Sequence, residues 1–84
     1  MSQTLKLDHP IRWGNDPEIQ ELTFRRLNIG DLKMVKNPEN LTIEEIISLV
    51  ARSTGIDEPK IERVDLSDML KVQEIITGFL QGSR

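Results

Sequence analysis

Between Glu21 and Leu32 the hydrophobic period of the chain changes, and that change constrains most of what can follow. Leu22 and Phe24 alternate with polar neighbours, the period of a half-buried strand. Leu32 and Val35 then fall three apart, as on a helix. Asn28 stands at the switch, where its side chain can accept from the first free N–H groups, and Asp31 follows three residues later to return the bond. A β segment therefore hands the chain straight to helical structure. No nucleophile or base is placed in this stretch.

Upstream, Leu5 and Leu7 alternate with Thr4, Lys6 and Asp8, which predicts a strand. Pro10 cannot donate to a ladder, so it marks an edge, a bulge or a strand start. Gly14-Asn15-Asp16-Pro17 is dense turn chemistry. Residues 3–25 thus read as an antiparallel hairpin with an irregularity near Pro10. A lone hairpin is marginal in water, so helices should cover one face.

Downstream, Ile29 to about Lys36 reads as a short helix, with Lys33 and Lys36 in its last turn and Asn37-Pro38-Glu39-Asn40 ending it. Thr42 and Glu45 fit a capping box, and Ile43, Ile46, Ile47, Val50 and Ala51 follow as an apolar stripe closed by Gly55. Asp57-Glu58-Pro59-Lys60 is a further, short helix start. Asp65-Leu66-Ser67-Asp68 opens the last helix, which spans about 24 Å if it runs on to Gln81. Gly82-Ser83-Arg84 reads as a frayed end. The expected fold is α+β: an N-terminal antiparallel β-hairpin (3–25) followed by three to four short helices (29–81), in one domain over residues 1–84.

Composition narrows the function. The net charge of −3 comes wholly from residues 31–84, with seven basic and ten acidic groups, whereas residues 1–30 carry four of each. An acidic helical half is a poor surface for a phosphate backbone, so nucleic acid is not expected as a partner. The apolar runs are far shorter than the roughly 20 residues of a membrane span, and no secretory signal is visible. The absence of cysteine removes disulfides, thiolate metal sites and cysteine nucleophiles together. The cytosol is the expected compartment, with no metal and no cofactor.

Each chemically suggestive residue has a plainer reading. His9 is the only histidine, and its neighbour Asp8 points to the opposite face of a strand. Trp13 beside Arg12 reads as core edge or a subunit contact rather than a base-stacking platform. Arg25-Arg26 reads as a solvent-facing strand-end pair. Glu44-Glu45, Asp57-Glu58, Asp65 and Asp68 lie at helix starts, where capping and the dipole favour carboxylates. The last helix is different. Its apolar face is wider than one core contact needs, because Val72 and Ile75 lie off the Leu66–Leu70 line. Trp13, Met69, Val72, Ile75 and Phe79 are therefore the expected partner-binding residues.

The order of these pieces resembles a known family. A strand pair ends in Leu22-Thr23-Phe24-Arg25 and runs into Ile29-Gly30-Asp31-Leu32. Leu49-Val50-Ala51-Arg52-Ser53-Thr54-Gly55-Ile56, Val64-Asp65-Leu66-Ser67-Asp68-Met69-Leu70 and Ile75-Ile76-Thr77-Gly78-Phe79-Leu80 follow. The pattern is similar to that of the small tail assembly chaperones of Mu-type and related contractile-tailed phages and prophages. It departs from it in the elaborate Gly14–Pro17 turn and in Pro38. The resemblance implies a holdase rather than an enzyme. Such a protein binds the long helical tape-measure protein and keeps it soluble in the cytoplasm of the bacterial host, and it is absent from the mature virion. A frameshifted longer form would recruit tail-tube protein, and homo-oligomers are expected. The residues leave alternatives: a small acidic interaction module or regulator, or an acyl-carrier-like domain with Ser67 as the arm-bearing serine.

Overall fold

The structure, a computed structural model, describes residues 2–33, 35–37 and 40–80. Two strands, β1 (Ser2–Ile11) and β2 (Ile19–Arg25), precede three helices, α1 (Ile43–Thr54), α2 (Glu58–Ile61) and α3 (Leu66–Leu80). This is the expected α+β arrangement. Met34, Pro38, Glu39 and Gln81 to Arg84 lie outside the described residues. So do the parts of the first-helix, loop, last-turn and frayed-end expectations that fall on them.

The strands pair antiparallel, from Ser2 opposite Arg25 to Lys6 opposite Glu21, then resume with Ile11 opposite Ile19. Between those pairs, Leu7 to Pro10 of β1 face Gln20 of β2 alone. The irregularity expected near Pro10 is thus a multi-residue bulge, at the place where proline has no N–H to give. Leu7, Ile11, Leu22 and Phe24 enter the core. On the outer face, the Thr4 and Thr23 hydroxyls meet at 3.3 Å.

The bulge leaves backbone donors without a strand partner, and α3 supplies the acceptor. Asp68 is fully buried. Its Oδ1 accepts from the N–H of Asp8 at 3.1 Å and its Oδ2 from that of His9 at 2.9 Å. Its expected role was to cap its own helix, as one of several carboxylates at helix starts. It instead fastens α3 to β1. Asp65 does the local work, its Oδ2 accepting the Ser67 N–H at 3.1 Å and hydroxyl at 2.8 Å. Lys71, one turn beyond Asp68, reaches Asp8 at 2.7 Å.

The hairpin tip is tied to the region of α2. Asp16 N–H closes the turn on the Trp13 carbonyl at 3.0 Å. Gly14 takes a left-handed φ of 57°, which a side chain would resist. Lys60 meets Asp16 at 3.3 Å, and the Arg63 guanidinium lies 5.2 Å from the centre of the Trp13 ring.

At the β2 exit the capping pair forms as expected. Asn28 N–H donates to Asp31 Oδ2 at 2.9 Å, and Asp31 N–H returns to Asn28 Oδ1 at 3.3 Å. The element it starts is one 3₁₀ turn, Ile29–Leu32, and not a helix to Lys36. Ile29 is 84% exposed, so no apolar stripe rewards a longer helix here. Arg25 and Arg52 both approach the buried Asp31 carboxylate, at 3.3 and 3.5 Å. Arg25 and Arg26 are both exposed, as expected of a strand-end pair, and Arg26 lies over the Phe79 ring at 6.0 Å.

α1 opens on the predicted capping box: Glu45 N–H to Thr42 Oγ1 at 3.1 Å, and Thr42 N–H to Glu45 Oε1 at 3.0 Å. It closes on Gly55, with φ 77°. The buried stripe is Ile46, Leu49, Val50 and Ser53: of the expected stripe Ile46 and Val50 are buried, Ile47 and Ala51 are half-buried and Ile43 is exposed. The Ser53 hydroxyl donates to the Arg25 carbonyl at 2.6 Å and ties this face to β2, beside the core packing of Ile46, Leu49 and Val50. Ile61 of α2 and Val72 and Ile76 of α3 complete the core.

These bonds shift the ionisation of the carboxylates that make them. The Asn28 N–H and then Arg25 hold the Asp31 carboxyl below its ordinary 3.8. The Thr42 and Lys36 N–H groups lower Glu45 from 4.5, and the Ser67 hydroxyl and N–H lower Asp65. The hydrogen bond with Lys71 lowers Asp8, and the same bond raises Lys71 above 10.5. A carboxyl with a lower folded pKa stabilises the fold above its unfolded pKa, and that contribution is lost as pH falls through the folded value. The raised Lys71 contributes below 10.5 and loses its part as pH rises through its folded pKa. Thermal melts should therefore be flat across the neutral range, fall below about pH 4 and fall again above about pH 10.5. A melting temperature that holds constant down to about pH 2 would show that these bonds do not couple to folding.

Candidate partner-binding surface

The helices leave large apolar side chains uncovered. Ile43 at the start of α1 is 60% exposed, and Leu66 and Leu70 at the start of α3 are 79% and 63% exposed. Ile43 and Leu66 border one cleft of about 180 Å³, floored by Ile47, Ile61, Val64 and Met69. A second depression of about 310 Å³, bordered by Glu44, Ser48, Glu58 and Glu62, shares Ile47 and Glu62 with the first. The two are halves of one surface, apolar on one side and acidic on the other. On the outer side of α3 a wider open groove of about 460 Å³ runs past Leu70, Gln73, Glu74 and Thr77.

The expected partner residues do not come together. Val72 is fully enclosed in the core and has no surface to offer, which corrects its assignment as a contact residue. It stands on the α3 line that carries Asp68 and Ile76, and that line is the one turned inward by the Asp68 bonds. Met69 lines the apolar cleft. Ile75 and Phe79 are half-buried on the opposite flank of α3, and Phe79 lies under Arg26. Trp13 is half-buried under Arg63 at the hairpin tip. Only Met69 thus joins the cleft.

Sequence reading missed Ile43, Leu66 and Leu70, since apolar spacing alone reads them as core. One signal was available. Leu66 and Leu70 lie four apart, and Val72 and Ile76 lie four apart on another line. One short helix cannot bury both lines against a single layer.

The groups nearest to an acid–base constellation are arranged in the wrong order for it. The Ser67 hydroxyl donates to Asp65, and His9 Nδ1 lies 3.7 Å from the same carboxylate oxygen and from Asp68. An activated serine needs the imidazole between hydroxyl and carboxylate; here the carboxylate sits between. Among the described residues no group of three or more metal-ligating side chains gathers, and no helix is long and apolar enough to cross a membrane.

No curated protein and no solved structure matches the chain. One protein family does, over residues 4–81: that of "Phage tail assembly chaperone proteins, E, or 41 or 14". The match takes in both strands, the capped turn at Asn28, and all three helices. The match covers nearly the whole chain, and the chain belongs to the phage tail assembly chaperone family.

Proposed function

We propose that this chaperone binds the tape-measure protein and keeps it soluble while the tail tube assembles, without catalysis. The observation that carries the reading is the uncovered apolar surface of Ile43, Leu66 and Leu70 on a member of this family. A long helical partner free in solution exposes an apolar stripe that aggregates unless covered, and helix-in-groove contact covers it. A cleft of about 180 Å³ grips little of such a partner, so single contacts are weak and several copies along one chain supply avidity. The protein acts in the cytoplasm of the bacterial host, self-associates along its partner, and leaves before the virion matures. A longer form made by frameshifting would carry the contact to tail-tube protein.

Analytical ultracentrifugation with tape-measure fragments of increasing length tests this. Co-sedimentation should be faint with short fragments and rise steeply with length. Its absence at every length would end the reading.

A further inference from the structure

The cleft between α1, α2 and α3 is amphipathic, and its charge selects what can enter. The apolar half is walled by Ile43, Leu66 and Met69, and the adjoining half by Glu44, Glu58 and Glu62. Glu58 accepts the Ser48 hydroxyl at 3.0 Å. Among the described residues the side chains of Glu44 and Glu62 make no ion pair or hydrogen bond. Four cations on and beside the helices point elsewhere. Arg52 goes to Asp31, Lys60 to Asp16, Lys71 to Asp8, and Arg63 covers Trp13. Each of these ties a helix or its flank to the hairpin side of the molecule, and none screens the cleft.

We infer that this cleft receives one turn of an amphipathic helix from another protein, with an apolar anchor seated between Ile43, Leu66 and Met69 and a Lys or Arg on the adjacent turn facing Glu44 and Glu62. The inference rests on the chaperone reading in assigning the cleft to a helical partner, and it adds which face binds and what chemistry the bound segment carries. The cations matter for choice as well as for strength. An acidic-flanked helix with the same apolar stripe would set like charges against unpaired carboxylates, and that rejection separates the true partner from other exposed helices. A second copy of this chain is a poorer occupant, because Arg52, Lys60, Arg63 and Lys71, the basic side chains on and beside its helices, are already engaged.

The test uses the full chain and two synthetic helical peptides with one apolar stripe, flanked by Lys and Arg in one and by Glu in the other. Fluorescence anisotropy at low salt should show the basic peptide binding at least about tenfold more tightly, with the advantage shrinking as salt is raised. Leu66→Glu should abolish binding of the basic peptide. The double change Glu44→Lys with Glu62→Lys should reverse the preference. All three positions are exposed, so circular dichroism melts of the variants should match the parent. Equal binding of both peptides, or binding indifferent to these substitutions, overturns the inference. So does a dimer in sedimentation that Leu66→Glu dissolves and that excludes the peptide, which would make a second copy the occupant. Tape-measure fragments captured equally by parent and variants would overturn the assignment of the cleft and leave the chaperone reading standing. Selective binding of the basic peptide with no capture of tape-measure fragments would sustain the cleft and overturn the partner.

Discussion

Replacing Asp68 with alanine should remove about 3 kcal/mol of stability. Its carboxylate accepts the N–H groups of Asp8 and His9 from within a site that water does not reach. Each hydrogen bond to a charged group contributes about 1.5–3 kcal/mol. Part of that gain is offset by the desolvation of the carboxylate, which the substitution relieves. Asp8 and His9 are themselves exposed, so water can take up some of the freed donors. The net loss therefore falls near the lower end of the sum of two bonds. Against a total of about 5–10 kcal/mol for a domain of this size, it is a large share. Asp68→Asn should recover only part of it. An amide offers one acceptor oxygen, and its NH₂ would face the other N–H. Chemical denaturation measures the loss, and hydrogen exchange locates it. The amides of Asp8 and His9 should exchange much faster in the alanine variant, while those of the Gln3–Lys6 ladder change less. A loss under about 1 kcal/mol would mean that water replaces the carboxylate and that α3 is held by apolar contact alone.

Phe24→Ala should be at least as costly, at about 3–5 kcal/mol. Phe24 is among the largest fully buried side chains, and its cross-strand neighbour is Gln3. Gln3 is exposed and gives it little cover, so the enclosure of the ring comes from the helices, α1 above all. Truncation leaves a ring-sized void between two layers that are already pinned, by Ser53 to Arg25 on one side and Asp68 to the bulge on the other. Such a site cannot collapse to fill the space, which places the cost toward the upper part of the range. The variant should melt far below the parent or fail to fold at room temperature. Phe24→Leu, which keeps most of the volume, should cost less than half as much. Equal melting of parent and alanine variant would show that the hairpin and helices do not share one core.

Local signals read correctly at most of the helix starts and ends, but not at Asp57, whose side chain makes no capping bond, nor beyond Leu32, where the expected helix stops after one 3₁₀ turn. The two capping boxes, at Asn28/Asp31 and Thr42/Glu45, bond as their spacing predicts, and Gly55 ends α1 in the left-handed conformation. The strand pair, the disturbance at Pro10 and the three helices follow from period and turn chemistry alone, while the family entered through a resemblance in the order of those pieces and is shown by the match over residues 4–81. The partner-binding surface was less legible. Apolar spacing marks a side chain as buriable and does not say which of two lines on a helix meets the core. Val72 and Leu66 are alike in composition and opposite in exposure.

Rotation decides between them, and rotation is set by bonds spanning long stretches of sequence. Ser53 reaches Arg25 across 28 positions and fixes which face of α1 meets the sheet. Asp68 reaches Asp8 across 60 and fixes the same for α3. The amino-acid sequence by itself determined the strand pair, the three later helices and their order, the caps at Asn28 and Thr42 and the acidic character of the helical half, because those depend on neighbours along the chain. Only the tertiary structure decided that Asp68 is a brace and not a cap, that Val72 is core, and that Ile43, Leu66 and Met69 meet beside Glu44 and Glu62. Those facts depend on which distant backbone groups are left unpaired when the hairpin bulges, and chain spacing carries no record of that.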